Sequence, residues 1–409
     1  MENKCTQIEF GVHARTLKNE NKVILGNVLN GLWIKCSDYI YEFLLNSIVE
    51  KRTVDEIIDE CLDTESKKYM TDLIETLIKI EVLTISSNLR KENIIKHITL
   101  ELTTRCNLRC IHCCADCGEE IRKDMDFNKI QEIIEWSQKN NIESISLTGG
   151  EIFLRTDIWE ILEYIRKNFH GDVEILTNGT LIKNEKIAYL LTLVDCISIS
   201  LDGYDEESVT KIRGKGVFNK VLEKINLLRK NKFENVSLSM VVTEETSNSI
   251  KAFKDLCSML GVRPVTRVFT PEGRGKDNYI ILNPSYKNSL ERDFDESTID
   301  KLQNEVNFRC ICNMESKVFI CADGNIYSCF LEIKSGNILG DIDDLLSSKL
   351  ERAMVLPIVD SINPCSTCNV RYFCASSCPG HNSAIFNDEK LRKELCSSSI
   401  EYYKRIVWN

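Results

Sequence analysis

The spacing of hydrophobic positions divides this chain into three stretches. In the first, up to about residue 90, short β-type runs precede longer helical ones. His13–Leu17 and Lys22–Leu25 flank the polar Lys18–Asn21, which predicts a hairpin. Asp38–Val49 and Val54–Leu62 carry apolar residues at helical spacing, with Thr53 placed to cap the second. A third helical run, Lys68–Ile80, stops before the apolar Val82–Ile85. Small strands followed by three helices suit a compact winged-helix-like module.

The second stretch alternates strand and helix. Apolar or β-branched runs fall at Ile98–Leu102, Ile142–Leu147, Val173–Leu176, Cys196–Leu201, Val236–Val242 and Pro264–Phe269. Amphipathic segments lie between them at Lys129–Lys139, Ile158–Asn168, Lys186–Leu193, Phe218–Lys230 and Ser249–Leu260. Six such βα repeats imply an α/β fold in which a parallel sheet with right-handed crossovers curves into a partial (β/α)6 barrel. Functional residues should then gather at the carboxyl ends of its strands. After the charged Asn288–Asp300 the pattern gives way to cysteine. The expected domains are 1–90, 95–285 and 305–409.

Composition narrows the classes. An apolar fraction of 43% with 28% charged residues is that of a globular protein. No run approaches the ~20 apolar residues of a membrane span, and Met1–Phe10 has no apolar signal core, so the expected compartment is the cytoplasm. A net charge of −10 argues against nucleic acid as the main partner. Nineteen cysteines are too many for chance and sit in too long a chain for a small secreted disulfide scaffold. Five lie in 106–117 and nine in 310–396. The scattered Cys5, Cys36, Cys61, Cys196 and Cys257 read as small buried hydrophobes.

Directly after the first barrel strand stand Cys106, Cys110 and Cys113, a C-x3-C-x2-C spacing. Three thiolates on one short loop can take three irons of a [4Fe–4S] cubane and leave the fourth open to a non-protein ligand; a zinc site is the competing reading. Partner motifs follow at the ends of later strands. They are Thr148-Gly149-Gly150-Glu151, Thr177-Asn178-Gly179, Ser198-Ile-Ser200-Leu-Asp202-Gly203, and Arg213 beyond them. Glycines admit close backbone approach, and carboxylate and guanidinium suit the charged ends of an amino acid.

Together these motifs resemble the radical S-adenosylmethionine (SAM) superfamily. The resemblance implies that Cys106, Cys110 and Cys113 hold the cluster and that Gly149, Gly150 and Glu151 hold the SAM amino group. Ser200 and Arg213 match positions that contact its ribose or carboxylate, Asn178 and Asp202 join the same set, and His112 stands where an aromatic ring usually meets the adenine. Cys114 stands where many relatives have tyrosine; it and Cys117 read as spare thiols near the site, with extra ligands or a substrate relay as the alternative.

Further on, Cys312, Gly324 and Cys329, then Cys365, Cys368, Cys374 and Cys378, then Cys396 follow in the order of the SPASM domain, the extension of radical SAM enzymes that modify peptides. This implies two auxiliary [4Fe–4S] clusters and three in all. Cys312, Cys329 and Cys378 would bind the nearer one, completed by Cys310 or left open to substrate, and Cys365, Cys368, Cys374 and Cys396 the outer one. A pair of zinc knuckles is the alternative. Cys321 fits no ligand position.

The front module resembles the peptide-recognition winged helix of enzymes that mature ribosomally made peptides, which take a leader segment as an added strand; a structural cap is the bland reading. Gly149-Gly-Glu-Ile-Phe, Leu176-Thr-Asn-Gly-Thr-Leu and Gly273-Arg-Gly-Lys resemble thioether-forming maturases of the subtilosin A type. The resemblance implies hydrogen abstraction from a precursor peptide, cysteine-to-carbon thioether crosslinks, and a reductant such as flavodoxin or ferredoxin. Epimerisation, a carbon–carbon crosslink or formylglycine formation are other radical outcomes, and a DNA-binding iron–sulfur sensor is a reading of another class.

Overall fold

The computed structural model of the 409-residue chain describes residues 6–85, 95–118, 123–269, 271–278, 303, 306–308, 316–330, 333, 338–347, 358–361, 364–374 and 389–409. The chain forms two compact units. One comprises Met1–Glu92, Leu290–Asn313 and Met354–Asn409; the other comprises Asn93–Ser289 and Met314–Ala353. The residues expected as one C-terminal domain, 305–409, are thus shared between them.

In the first unit, β1 (Ile8–Phe10) pairs antiparallel with β5 (Leu83–Ile85), and β2 (Ala14–Asn19), β3 (Lys22–Asn27) and β4 (Trp33–Ser37) form an antiparallel sheet with β3 at its centre. The hairpin β2–β3 is the expected one, turning at Glu20, which takes a positive φ of 52°. Three helices follow, α1 (Asp38–Val49), α2 (Val54–Asp59) and α3 (Thr64–Lys79). Thr53 caps α2 in a reciprocal box with Glu56, satisfying two backbone donors that would otherwise lack partners. On α3, Met70, Leu73, Ile74 and Leu77 recur at helical spacing and are buried against Val23 and Leu25. Each such burial contributes roughly 1.5–3 kcal/mol. The strands β1 and β4 were not anticipated; β1 spans three residues, too few to show a period.

The second unit is built on a nine-stranded sheet. Its parallel strands β6 (His97–Thr103), β7 (Ser144–Gly149), β8 (Asp172–Thr177), β9 (Cys196–Ser200), β10 (Val236–Val242) and β11 (Arg263–Val268) lie side by side in chain order. Helices α4 (Phe127–Lys139), α5 (Ile158–Asn168), α6 (Ile187–Leu190), α7 (Glu206–Arg213), α8 (Val217–Lys230), α9 (Glu244–Ser247) and α10 (Ile250–Leu260) fall between them. Alternation in β6 sends Ile98, Leu100 and Leu102 into the main hydrophobic core and leaves Glu101 and Thr103 on the other face. The same core takes Ile130, Ile133 and Ile134 of α4 and Ile158, Ile161, Leu162 and Ile165 of α5.

These elements agree with the six expected repeats to within a few residues. The segment expected as helix Lys186–Leu193 is shorter, a 3-10 turn at Asn184–Lys186 and then α6. Thr192 ends it by returning its hydroxyl to the Tyr189 carbonyl at 2.7 Å, a local bond that competes with further helix.

Beyond β6 the sheet continues with β12 (Lys317–Ile320), which pairs parallel to it from more than two hundred residues away. The short antiparallel β13 (Asn325–Tyr327) and β14 (Gly340–Asp341) close that edge. Two further short helices, α11 (Arg274–Asp277) and α12 (Ile342–Leu346), belong to this unit. Among the described residues no helix is long and apolar enough to cross a membrane.

Candidate active site

The loop after β6 carries Cys106, Cys110 and Cys113 at the carboxyl end of the sheet, where a parallel α/β fold places its chemistry. Polar groups from other segments hold this loop. The Cys106 amide donates to the Gly118 carbonyl at 3.3 Å and the Ile111 amide to the Ile212 carbonyl at 3.1 Å. Arg274, at the start of α11, fixes the far side. Its backbone amide donates to the Cys113 carbonyl at 3.0 Å, and its guanidinium to the carbonyls of Cys110 (3.1 Å) and Cys117 (2.8 Å) and to Asp116 (2.7 Å). Gly273 lets α11 come this close: its φ is +54°, and a Cβ there would lie 2.5 Å from the Cys113 carbonyl oxygen.

The thiols themselves meet donors. Asn178 Nδ2 lies 3.9 Å from the Cys106 sulfur, the Leu108 amide 3.5 Å from the same atom, and Arg213 Nη1 3.8 Å from the Cys110 sulfur. Burial pushes the Cys106 thiol up to about 11, and it raises Cys110 against the opposing pull of Arg213. The Cys117 thiol lies against Cys113 and the Ala115 carbonyl, which pulls the Cys113 thiol below its ordinary value and pushes that of Cys117 up. Cys117 is therefore in contact with the site; Cys114, pushed up to about 11 by burial, stands next to Cys113 in the loop.

Behind the sulfurs lies a buried charged network. Asp202, fully buried with a φ of 60°, accepts from His112 Nε2 and Arg213 Nε, each at 2.5 Å, and from the Val241 amide at 2.6 Å. Burial alone would raise this carboxyl, but Arg213 and His112 hold it well below the usual carboxylate range. The structure thus brings His112, Asp202, Arg213 and Cys110 together. Ser200 ends β9 with its side chain half-buried.

The Gly149–Gly150–Glu151 turn backs onto the base of the loop. Gly149, with a φ of +154°, and Gly150 press so closely on Thr103 and Arg105 that a Cβ on either would overlap a backbone carbonyl. The Gly150 and Glu151 amides donate to the Thr103 and Arg105 carbonyls at 2.8 and 2.7 Å. Glu151 has no exposed surface; its carboxylate accepts from Thr177 Oγ1 (2.7 Å) and from the amides of Asn178 (2.8 Å) and Phe153 (3.2 Å). Burial raises its pKa, and these donors oppose the rise. The carboxylate therefore braces Asn178, whose side chain in turn reaches Asn107 at 2.9 Å and the Cys106 sulfur.

The donor set fits an iron–sulfur cluster. N–H groups directed at cysteine sulfurs stabilise bound thiolates and tune a cluster's potential. Among the described residues no three His, Cys, Asp or Glu side chains are placed to hold a single metal ion.

Two contributors were not read from the sequence. Arg274 stands inside the Gly273-Arg-Gly-Lys motif, which was read for its resemblance alone; its role, acting across 158 residues on Asp116, was not. Glu101, 7% exposed, accepts from the Ala322 amide at 3.0 Å and ties β6 to the end of β12; a charged residue at an inward strand position was the available clue.

Of the second cysteine group, Cys310, Cys312 and Cys378 lie outside the described residues, as does Cys5. Cys329 is half-buried after β13, and Cys321 is buried, its thiol pushed up to about 12. Cys365, Cys368, Cys374 and Cys396 are half-buried in the first unit. Cys365 starts a 3-10 turn in which the Cys368 amide donates to the Cys365 carbonyl at 2.9 Å, and burial raises the Cys368 thiol. Cys36 and Cys257 are buried in the hydrophobic cores, while Cys61 and Cys196 are half-buried.

Residues 100–257 match the family model described as the radical SAM superfamily. The mycofactocin maturase MftC of Mycolicibacterium smegmatis is 31% identical over 190 residues, 46% of this chain and 48% of that protein. The antilisterial bacteriocin subtilosin biosynthesis protein AlbA of Bacillus subtilis is 29% identical over 264 residues, 60% and 58% of the two. The chain thus spans about half the length of the curated relatives it matches. Streptococcus suis SuiB, solved bound to its precursor peptide SuiA, superposes with a TM-score of 0.56 at 15% identity over 92% of this chain and 97% of that one, a likeness of fold. The chain carries a radical SAM domain.

Proposed function

With that domain as the premise, we propose that this protein is a radical SAM maturase of a ribosomally made precursor peptide, and that the bond it forms is a cysteine-to-carbon thioether. The observation that carries the reading is the Cys106–Cys113 loop, with Arg213 and Asn178 directing N–H groups at its sulfurs inside the matched domain. Likeness to MftC and AlbA supports peptide maturation, and AlbA supports the thioether.

Cys106, Cys110 and Cys113 would hold the cluster, and Gly149–Glu151, Asn178, Ser200, Asp202, Arg213 and His112 would surround SAM. When bound, the pair supplies one-electron cleavage of the sulfonium and a carbon radical able to abstract hydrogen. The chain's own part is placement and exclusion of water. Arg274 and Gly273 fix the loop, Asp202 keeps Arg213 charged beside Cys110, and Glu151 holds Asn178 against Cys106. The auxiliary thiols, Cys312, Cys329 and Cys378 with Cys310, and Cys365, Cys368, Cys374 and Cys396, would hold two further clusters in a SPASM arrangement. The winged-helix-like module of α1–α3 and the sheet β2–β4 would take the leader segment along a sheet edge.

Anaerobic reconstitution with iron and sulfide tests this, followed by reduction with SAM and any short cysteine-bearing peptide found encoded beside the gene. About twelve irons per chain, 5′-deoxyadenosine, and a peptide lighter by two hydrogens per crosslink are expected. Deuterium uptake from solvent at unchanged connectivity would replace the thioether with epimerisation. Absence of SAM cleavage by the reduced, iron-loaded protein would overturn the reading.

A further inference from the structure

The central strand of the front sheet has no solvated face. From Val23 to Asn27 every residue of β3 is buried. Alternation divides them: Val23 and Leu25 face the core shared with α1–α3, whereas Ile24, with Leu17 of β2, faces a second core. That second core consists of Phe308 and two C-terminal segments, Val370–Phe373 and Ile406–Trp408. Phe308 lies so flat on β3 that a Cβ on Gly26 would overlap its ring.

The segment Val370–Phe373 is the middle of the outer thiol loop. It joins Cys368 to Cys374, and Cys365 and Cys368 themselves pack against this core. Polar contacts pin the loop to the same sheet. Asn369 donates to Asn19, in the β2–β3 hairpin, at 2.6 Å. Trp33 on β4 meets Phe373 edge-on at 5.3 Å. Asp360 accepts from Arg371 and Tyr372 at 2.8 Å and faces Arg15 of β2 at 3.7 Å.

We infer that the outer thiol loop is a structural wall of the peptide-recognition module, so that closing Cys365, Cys368 and Cys374 on their cluster sets the fold of β2–β4 and with it the affinity for precursor peptide. The inference rests on the proposed reading of the module and of these thiols. Its reasoning is mechanical. The loop contributes Val370, Tyr372 and Phe373 to the apolar core that takes Leu17 and Ile24, and a loop with eight residues between its first and last thiol has little regular structure of its own beyond one 3-10 turn. Ligation at both ends would fix Val370, Tyr372 and Phe373 against the sheet, as metal binding commonly completes the fold of small cysteine-rich modules.

The test compares the full reconstituted chain with its C365A/C368A variant by iron content and hydrogen exchange. Expected are about four fewer irons and exchange through residues 14–37 faster by about tenfold or more, with α4 and α5 unchanged. Binding of the same gene-adjacent peptide should weaken in parallel. Loss of iron with exchange through 14–37 unchanged would overturn the inference, and so would unchanged iron.

If the double variant is insoluble, Asp360→Asn serves. It keeps every thiol and loosens the loop from β2, so faster exchange at 14–37 with iron retained supports the wall, and unchanged exchange rejects it. Should the wild type show the exchange dependence but no protection of residues 6–85 by peptide, the recognition reading fails while the wall stands.

Discussion

Two thiol-bearing loops, Cys106–Cys117 and Cys365–Cys374, are held in opposite ways. The first is fixed by charge and by hydrogen bonds: Arg274 on its carbonyls, Arg213 and Asn178 on its sulfurs, Asp202 behind them. The second rests chiefly on shape, aromatic rings packed on a sheet, with neutral and charged contacts of Asn369 and Asp360 beside them and none of them directed at a sulfur in the contacts described above. Charge beside a sulfur acts on the electronics of whatever the thiolates bind, and it needs fixed donors at fixed distances. Apolar packing contributes stability with little influence on a bound group's charge. The contrast fits a reacting centre in one unit and a supporting one in the other.

The sharpest way to break the first loop's support is Asp202→Asn. It leaves Arg213 buried without its carboxylate, and breaking such a pair costs about 3–5 kcal/mol, read as a lower denaturation midpoint of the barrel unit. Because Asp202 is held below the ordinary carboxylate range, its contribution is complete above that range and is lost as pH falls through it, from about pH 5 downward. The wild type should therefore lose stability on acidification across that window, and the variant should show a flatter profile.

A smaller effect is expected from Gly26→Ala, which drives a methyl into the Phe308 ring. Overpacking of this kind costs about 1–3 kcal/mol. Hydrogen exchange should report it across β2–β4 and not in β6–β8. Smallest is Asn369→Ala, which removes the bond to Asn19 and should cost about 0.5–1.5 kcal/mol in the same measurement. A loss confined to β2–β4 in both variants would sharpen the contrast, and a spread of either effect into the barrel strands would erase it.

Much of the barrel was legible because its signals are local. Each strand run and each amphipathic helix carries its own period, and Ile158–Asn168 and Val236–Val242 were read with the boundaries observed. The cluster loop was legible for the same reason, its three thiols lying within eight residues. What escaped reading is non-local. That Lys317–Ile320 joins the sheet beside β6 follows from pairing across the whole barrel, and nothing in four residues announces it. The Lys22–Leu25 run was read only as one arm of a hairpin, because the cover of its second face lies far away in the chain, in Phe308 and the C-terminal segments. Glu151 was read from resemblance as a ligand for an ammonium group; its own surroundings are three hydrogen-bond donors from Thr177, Asn178 and Phe153.

The contact from Lys22 to the Trp408 carbonyl joins residues 386 positions apart, and this has a consequence for the order of events during synthesis. When β3 leaves the ribosome, the residues that will cover Ile24 have not yet been made. The barrel lies between the two in the chain and, with its neighbouring strands paired in sequence order, can assemble first. The module that holds β3 is thus finished only after the segments that follow the barrel strands have been made, and until then the Ile24 face lacks its cover. A chaperone suited to that face would meet it during synthesis, before Phe308 and the C-terminal segments dock.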